Sequence, residues 1–251
     1  MRLVSKEVAF WKRTAVEDLD YHTRQFENVY RSTVHLTRFL TSLEGLSGGE
    51  ALDVGCGAGA NIYHLARAFP GFRWTGIDVA GSVVFPIGRK KLQEAGVAAT
   101  LVEGDFHRLT EIFPTRRFEL VLSIQTLLVL PHYEEALEQL LAVTGDWLVV
   151  TSLFTDFRVD AKVEVRDWTW SEDCQGPFYY NVVSHARFRD FCTSHGFREV
   201  AAQDFNIDID LPRQPEAGFK TFTETLADGR RLQFTGPIYQ PWKFLAFRRI
   251  G

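Results

Sequence analysis

The sequence predicts a doubly wound α/β fold, a mainly parallel sheet with helices on both faces. Three observations predict it. Short apolar runs alternate with helix-length segments over residues 49–154, a glycine-rich turn follows the first run, and successive runs end in an aspartate. Strands separated by helices need crossover connections. These place the strand C-terminal ends along one edge, where such sheets bind ligands.

Over residues 5–43, Phe26, Tyr30, Val34 and Phe39 recur at threes, fours and fives among charged residues, which predicts helix. LSGGE then breaks the helix and launches the strand ALDV, whose glycine-rich turn opens the helix ANIYHLARAF. RWTGI is the next strand, ending at Asp78 before a helix near GRKKLQEAG. ATLVEG leads to Asp105, FELVLSI leads to a helix near YEEALEQLLAV, and DWLVVTSLF closes the run. Residues 155–181 are polar and aromatic, with Gly176-Pro177 as a breaker, and read as loop. SHARFRDFCTSHGF predicts a helix ended by Gly196, and REVAAQDFNIDIDL a strand. TFTETLA and RRLQFTG flank Asp228-Gly229, a strong hairpin signal, and PWKFLAFRR predicts a final buried strand. With no repeat or linker, the expectation is one domain over residues 1–251. It comprises a helical cap (1–45), a ligand-binding core (46–154), and a lid with C-terminal strands (155–251).

Length of 251 residues, 45% hydrophobic and 24% charged content suit one packed α/β core. A formal net charge of −4 without long single-sign runs gives no bulk attraction to nucleic acid or anionic membrane, so a small-molecule partner is expected. Oligomeric state is not readable. Cys56, Cys174 and Cys192 are odd in number and lack metal-ligand spacing, and no metal site is expected. MRLVSKEVAFWKRTAVEDLD has no long apolar core and no run has transmembrane length, so the expected location is cytoplasmic.

The chemistry concentrates in Ala51-Leu52-Asp53-Val54-Gly55-Cys56-Gly57-Ala58-Gly59-Ala60-Asn61. Glycines allow a sharp turn and close approach to a ligand, and the helix that follows offers free N–H groups to an anion. Gly55, Gly57 and Ala60 also fit the dinucleotide fingerprint, so an NAD(P)-dependent oxidoreductase is the alternative from another class. Asp53, two residues before the first glycine, would repel a pyrophosphate but suits an ammonium. Asp78 falls about twenty residues beyond the turn, where a carboxylate accepts ribose hydroxyls.

Together the DVGCGAG turn, the IDV acid, the GDF acid and FELVLSIQTLLVL resemble the class I S-adenosylmethionine (SAM)-dependent methyltransferase family, over roughly residues 49–154. The resemblance implies a seven-stranded sheet with the last strand antiparallel, here with a C-terminal hairpin insertion, and SAM as cofactor with S-adenosylhomocysteine (SAH) as product. It implies that Asp53, Gly55, Cys56, Gly57, Gly59 and Asn61 line the methionine end and that Asp78 holds the ribose. Val79 would pack on adenine, Asp105 and Phe106 would bind its amino edge, and Ser123 and Gln125 would lie beneath the sulfonium. An N-terminal helix folded over SAM would bring Tyr21 or Arg31 to the cofactor or an anionic substrate.

His107 is the one catalytic candidate; His132, behind Pro131, receives no role, and His22, His35, His64 and His185 read as structural or exposed. Trp168, Trp170, Tyr179, Tyr180 and Asn181 follow the fifth strand and are expected to form one wall of an acceptor pocket. The nucleic-acid amino-methylating relatives carry Asn/Asp-Pro-Pro-aromatic after the fourth strand, where this chain has SIQTLL. The expected acceptor is a hydroxyl of a metabolite or sugar-type intermediate, with a small amine as the alternative. A non-catalytic SAM-binding partner protein is the remaining reading.

Overall fold

Leucine, valine and phenylalanine runs place strands in the middle of a sheet, because only burial on both faces removes that much apolar surface from water. The structure, a computed structural model, describes residues 5–169 and 178–250, so the expectations for Trp170 and Cys174 lie outside it. Helices α1 (Ser5–Glu17), α2 (Leu19–Glu27) and α3 (Arg31–Thr41) precede β1 (Gly49–Val54). Then come α4 (Ala60–Ala68), β2 (Phe72–Asp78), α5 (Gly81–Glu94), β3 (Ala99–Glu103), α6 (Leu109–Ile112), β4 (Phe118–Ile124), α7 (Tyr133–Val143) and β5 (Thr144–Thr155). After these follow β6 (Ala161–Val165), β7 (Phe178–Ser184), α8 (His185–Ser194), β8 (Phe197–Asp204), β9 (Thr221–Thr225), β10 (Arg231–Thr235), β11 (Ile238–Tyr239) and β12 (Trp242–Arg249).

The main sheet runs β3-β2-β1-β4-β5-β12-β8. Its first five strands pair in parallel, and β12 lies antiparallel between β5 and β8, as the resemblance implied. Successive residues alternate between faces. Ala51, Leu120, Leu122, Val149, Phe244 and Ala246 pack on one side, with Leu36, Phe39 and Leu40 of α3. Leu52, Val121, Leu148, Val150, Leu245 and Phe247 pack on the other, with Leu137, Leu140 and Leu141 of α7.

Three local expectations are revised. The N-terminal helical stretch is three helices, interrupted at Asp18 (φ −121°, ψ 40°) and by extended Asn28 and Tyr30. The segment read as loop contains β6 and β7. The aromatic and β-branched run FYYNVVS extends the sheet by pairing in parallel with β5 (Leu153↔Val182) and antiparallel with β6 (Val163↔Tyr180). The strand expected through residue 211 ends at Asp204, where Lys243 of β12 pairs with the Asp204 carboxylate (2.9 Å). The hairpin forms as expected, with Gly229 at φ +83° and Asp228 accepting from the Arg230 N–H (3.0 Å); β11 completes a separate three-stranded sheet.

Helix α5 lies so close to the glycine-rich turn that a Cβ on Gly88 would run into the Ala58 carbonyl oxygen. Gly88→Ala is therefore expected to cost about 1–3 kcal/mol in a urea melt, the usual range for overpacking. An unchanged midpoint would show that this backbone approach is not a constraint.

Candidate functional site

The turn after β1 is built by three glycines with left-handed backbones, Gly55 (φ +76°), Gly57 (φ +54°) and Gly59 (φ +89°). Side-chain crowding alone excludes a Cβ at Gly55, which would strike the Thr126 side chain. The Gly55 and Cys56 N–H groups donate to the Ile77 carbonyl (2.8 and 3.1 Å), which locks the turn to the end of β2. The Gly57 N–H donates to Asp78 Oδ2 and the Ala80 N–H to Asp78 Oδ1, each at 2.8 Å. Each carboxylate oxygen thereby keeps an accepting site for a further donor. Burial raises the Asp78 pKa, opposed by the Ala80 and Gly57 N–H groups and by His22.

Asp53 stands behind this turn, 1% exposed, with Oδ2 lacking a hydrogen-bond partner. Burial first, and the Asp78 charge second, push its pKa from 3.8 up to about 7. A buried carboxylate with an unsatisfied oxygen is costly unless a positive group approaches.

The turn opens on a cavity of ≈ 350 Å³, within the range of small-molecule sites. Gly55, Cys56, Gly57, Asn61, Asp78, Val79, Phe106 and Gln125, expected from the sequence at a cofactor site, line one side. Asn61, at the start of α4, is also tied to α3 by the Thr33 hydroxyl (2.9 Å). Gln125, just past β4, has φ 59° and is the sole non-glycine residue at positive φ among those described. Its N–H donates to the Thr151 carbonyl (2.9 Å). Such a backbone costs of order 1–3 kcal/mol and tends to persist where a site uses it.

The opposite wall comes from α1, α2 and the residues entering α3: Trp11, Thr14, Asp18, Tyr21, His22, Gln25 and Tyr30. Of these only Tyr21 was expected. The overlooked signal is spacing: Asp18, Tyr21, His22 and Gln25 stand at i, i+3, i+4 and i+7, one helical face that is neither apolar nor plainly charged. His22 lies against the turn, its ring 3.4 Å from where a Gly57 Cβ would stand. Its buried Nδ1 has no partner, and burial lowers its pKa against the opposing pull of Asp78 and Asp18. Burial raises the phenol pKa values of Tyr21 and Tyr30, so both stay neutral.

The other expected residues do not line this cavity. Gly59 caps α4, and Ser123 is buried with an unpartnered hydroxyl. Asp105 accepts from the His107 N–H (2.9 Å) and ring Nδ1 (3.0 Å), while His107 stacks on Phe106. Arg31 is exposed and pairs with Asp208 at 3.1 Å. Trp168 is 63% exposed, Lys162 sits 4.8 Å over the Tyr179 ring, and Tyr180 packs on Phe219. Asn181 donates to the carbonyl of Leu130, whose residue does line the cavity. Among the described residues no group of three or more His, Cys, Asp or Glu is placed to hold a metal ion. No helix there is long and apolar enough to cross a membrane.

Residues 51–146 match a family model described as a methyltransferase domain. A fatty-acid O-methyltransferase from Mycolicibacterium smegmatis is 25% identical over 171 residues, covering 66% of this chain and only 58% of that protein. Magnesium protoporphyrin IX methyltransferase from Synechocystis, solved with SAM, superimposes with a TM-score of 0.62 at 13% identity, over 99% of this chain and 100% of that one. A 1,6-didemethyltoxoflavin-N1-methyltransferase from Burkholderia thailandensis, solved with its substrate and SAH, gives 0.63 at 15% identity, over 98% and 88%. These likenesses place the chain in the class I methyltransferase fold.

The raised pKa of Asp53 has a definite sign. The folded protein holds this proton more tightly than the unfolded chain, so the stability it contributes is full below about pH 4 and is lost as pH rises through about 7. Asp53→Asn, which mimics the protonated acid, is expected to flatten the stability profile of the ligand-free protein over that window. Its gain over the wild type at pH 8 should be on the order of 2–4 kcal/mol. Urea melts at pH 4 and pH 8 check this; parallel profiles for the two proteins would refute the buried-acid account.

Proposed function

For a chain whose residues 51–146 form a methyltransferase domain, we propose SAM-dependent methyl transfer to a small molecule held beneath the N-terminal helices. The observation that carries this reading is the pair of buried acids at the glycine turn. Asp78 has accepting sites left for the two ribose hydroxyls, and Asp53 holds a buried carboxyl, able to give up its proton as an ammonium arrives, behind the turn that receives the amino-acid end. The N–H groups at the start of α4 suit the ligand carboxylate, and Val79 and Phe106 offer apolar surface to adenine.

An NAD(P) reading fits less well. The Gly57 N–H that would cradle a pyrophosphate is already given to the Asp78 carboxylate, which would repel the incoming charge.

When bound, SAM supplies a methyl group on a sulfonium, already activated toward in-line displacement. The work left to the protein is alignment and exclusion of water, and alignment alone contributes about 7–11 kcal/mol in favourable cases. Helices α1 and α2 cover the cavity, Gln125 and Thr126 fix the wall beyond β4, and neutral His22 is placed to take a proton from an acceptor. Tyr21 and Tyr30, kept protonated, orient rather than deprotonate.

Asp78→Asn keeps the side-chain volume and removes the charge. SAM and SAH, which share the ribose, should both bind about 10- to 150-fold more weakly, equivalent to about 1.5–3 kcal/mol. Isothermal titration of the wild type should detect SAM at micromolar concentration and no NADH. Tight NADH binding, or unchanged SAM affinity in a folded Asp78→Asn protein, would refute the assignment.

A further inference from the structure

Resting on the SAM reading above, we propose that the methyl acceptor is an amine, recognised as its ammonium by Asp18 and the rings of Trp11, Tyr21 and Tyr30, and that carboxylic acids are rejected. The cavity wall facing the glycine turn carries the exposed acid Asp18 and three aromatic side chains, Trp11, Tyr21 and Tyr30. Tyr21 and Tyr30 lie 5.9 Å apart between ring centroids at 60°, and both line the cavity. Aromatic faces present negative potential and attract a cation within about 6 Å, most strongly when water is excluded.

Among the described lining residues none is Lys or Arg. Nearby, Lys12 pairs with Glu103 and Arg31 with Asp208, while exposed Arg24, near enough to Tyr30 to act on its phenol, does not line the cavity. A carboxylate acceptor, such as the name of the fatty-acid methyltransferase describes, would enter a space holding Asp18 and Asp78 with no Lys or Arg side chain to pair with it. The ammonium of SAM would answer Asp53 and its ribose hydroxyls Asp78, which leaves Asp18 to the acceptor.

The proton balance closes on His22, whose unpartnered Nδ1 faces no competing hydrogen bond. The bound ammonium gives one proton to that nitrogen. Its freed lone pair forms the nitrogen–methyl bond as the carbon–sulfur bond breaks, with the electron pair remaining on sulfur. The products are SAH and an N-methylated ammonium, and His22 returns its proton to water.

The experiment is calorimetry on SAH-loaded protein with matched probes. Suitable sets are benzylamine, benzyl alcohol and benzoate; tryptamine, tryptophol and indoleacetate; and hexylamine, hexanol and hexanoate. For at least one skeleton the amine should bind about tenfold more tightly than its carboxylate counterpart. Asp18→Asn and Trp11→Leu should each reduce that preference about three- to tenfold, with SAM affinity staying within about threefold and melting curves confirming the fold. No amine preference in any set, or a preference that survives Asp18→Asn, overturns the proposal. Loss is separable from failure of the cofactor reading, because SAM is titrated first without acceptor. Absent SAM binding overturns both, whereas SAM binding without amine preference overturns only the acceptor class.

Discussion

The hydrogen bond from the Gly57 N–H to the Asp78 carboxylate holds the site together. It joins the turn after β1 to the end of β2, and with the Gly55 and Cys56 bonds to Ile77 it leaves the turn no freedom to swing. At Gly55 the closure admits only a residue without Cβ, since a Cβ there would strike Thr126. The same bond explains how a second buried acid is tolerated. Asp78 is compensated by two N–H donors, while Asp53 responds by holding its proton up to about pH 7. One acid is satisfied by the backbone and the other awaits a positive charge.

Much of this architecture was legible in the sequence because the strands carry their own evidence. ALDV, RWTGI, FELVLSI and DWLVVTSLF are apolar on both faces, and such runs belong in a parallel sheet. The half of the site on the glycine turn was legible for a related reason: left-handed glycines and strand-end acids are local requirements. Of the other half, the resemblance implied a helix over the cofactor carrying Tyr21, but not the further residues that helix region brings to the cavity. Trp11, Asp18, His22 and Tyr30 reach the cavity only because α1 and α2 break at Asp18 and fold over the strand ends, a tertiary event. Conversely, Trp168 and Tyr179 carry a conspicuous aromatic signal, yet β6 and β7 direct it elsewhere. Composition identifies aromatic residues; only strand pairing decides where they point.

This division has a functional reading. The family match begins at residue 51, so it covers the turn and the acids but none of the N-terminal wall. The fold is shared with methyltransferases named for a porphyrin and a toxoflavin precursor. The N-terminal wall of the cavity lies in the segment outside the match. Gln125 stands at the seam, its left-handed backbone held by the bond to Thr151 while its residue lines the shared cavity.

The position of β12 bears on how the chain reaches this state. β5 ends at Thr155, yet its antiparallel neighbour does not begin until Trp242, and β8 waits on the same strand from its other side. During synthesis the ribosome therefore delivers a five-stranded parallel half-sheet whose β5 edge is apolar, unpaired and open to other chains. Long-range pairing of this kind is slow, and a transiently bare edge invites association. β7 pairs with Leu153 to Thr155 on the other edge of β5, beyond the end of β4, so it leaves the edge awaiting β12 bare. The nascent protein should thus depend on chaperone shelter more heavily than its size suggests.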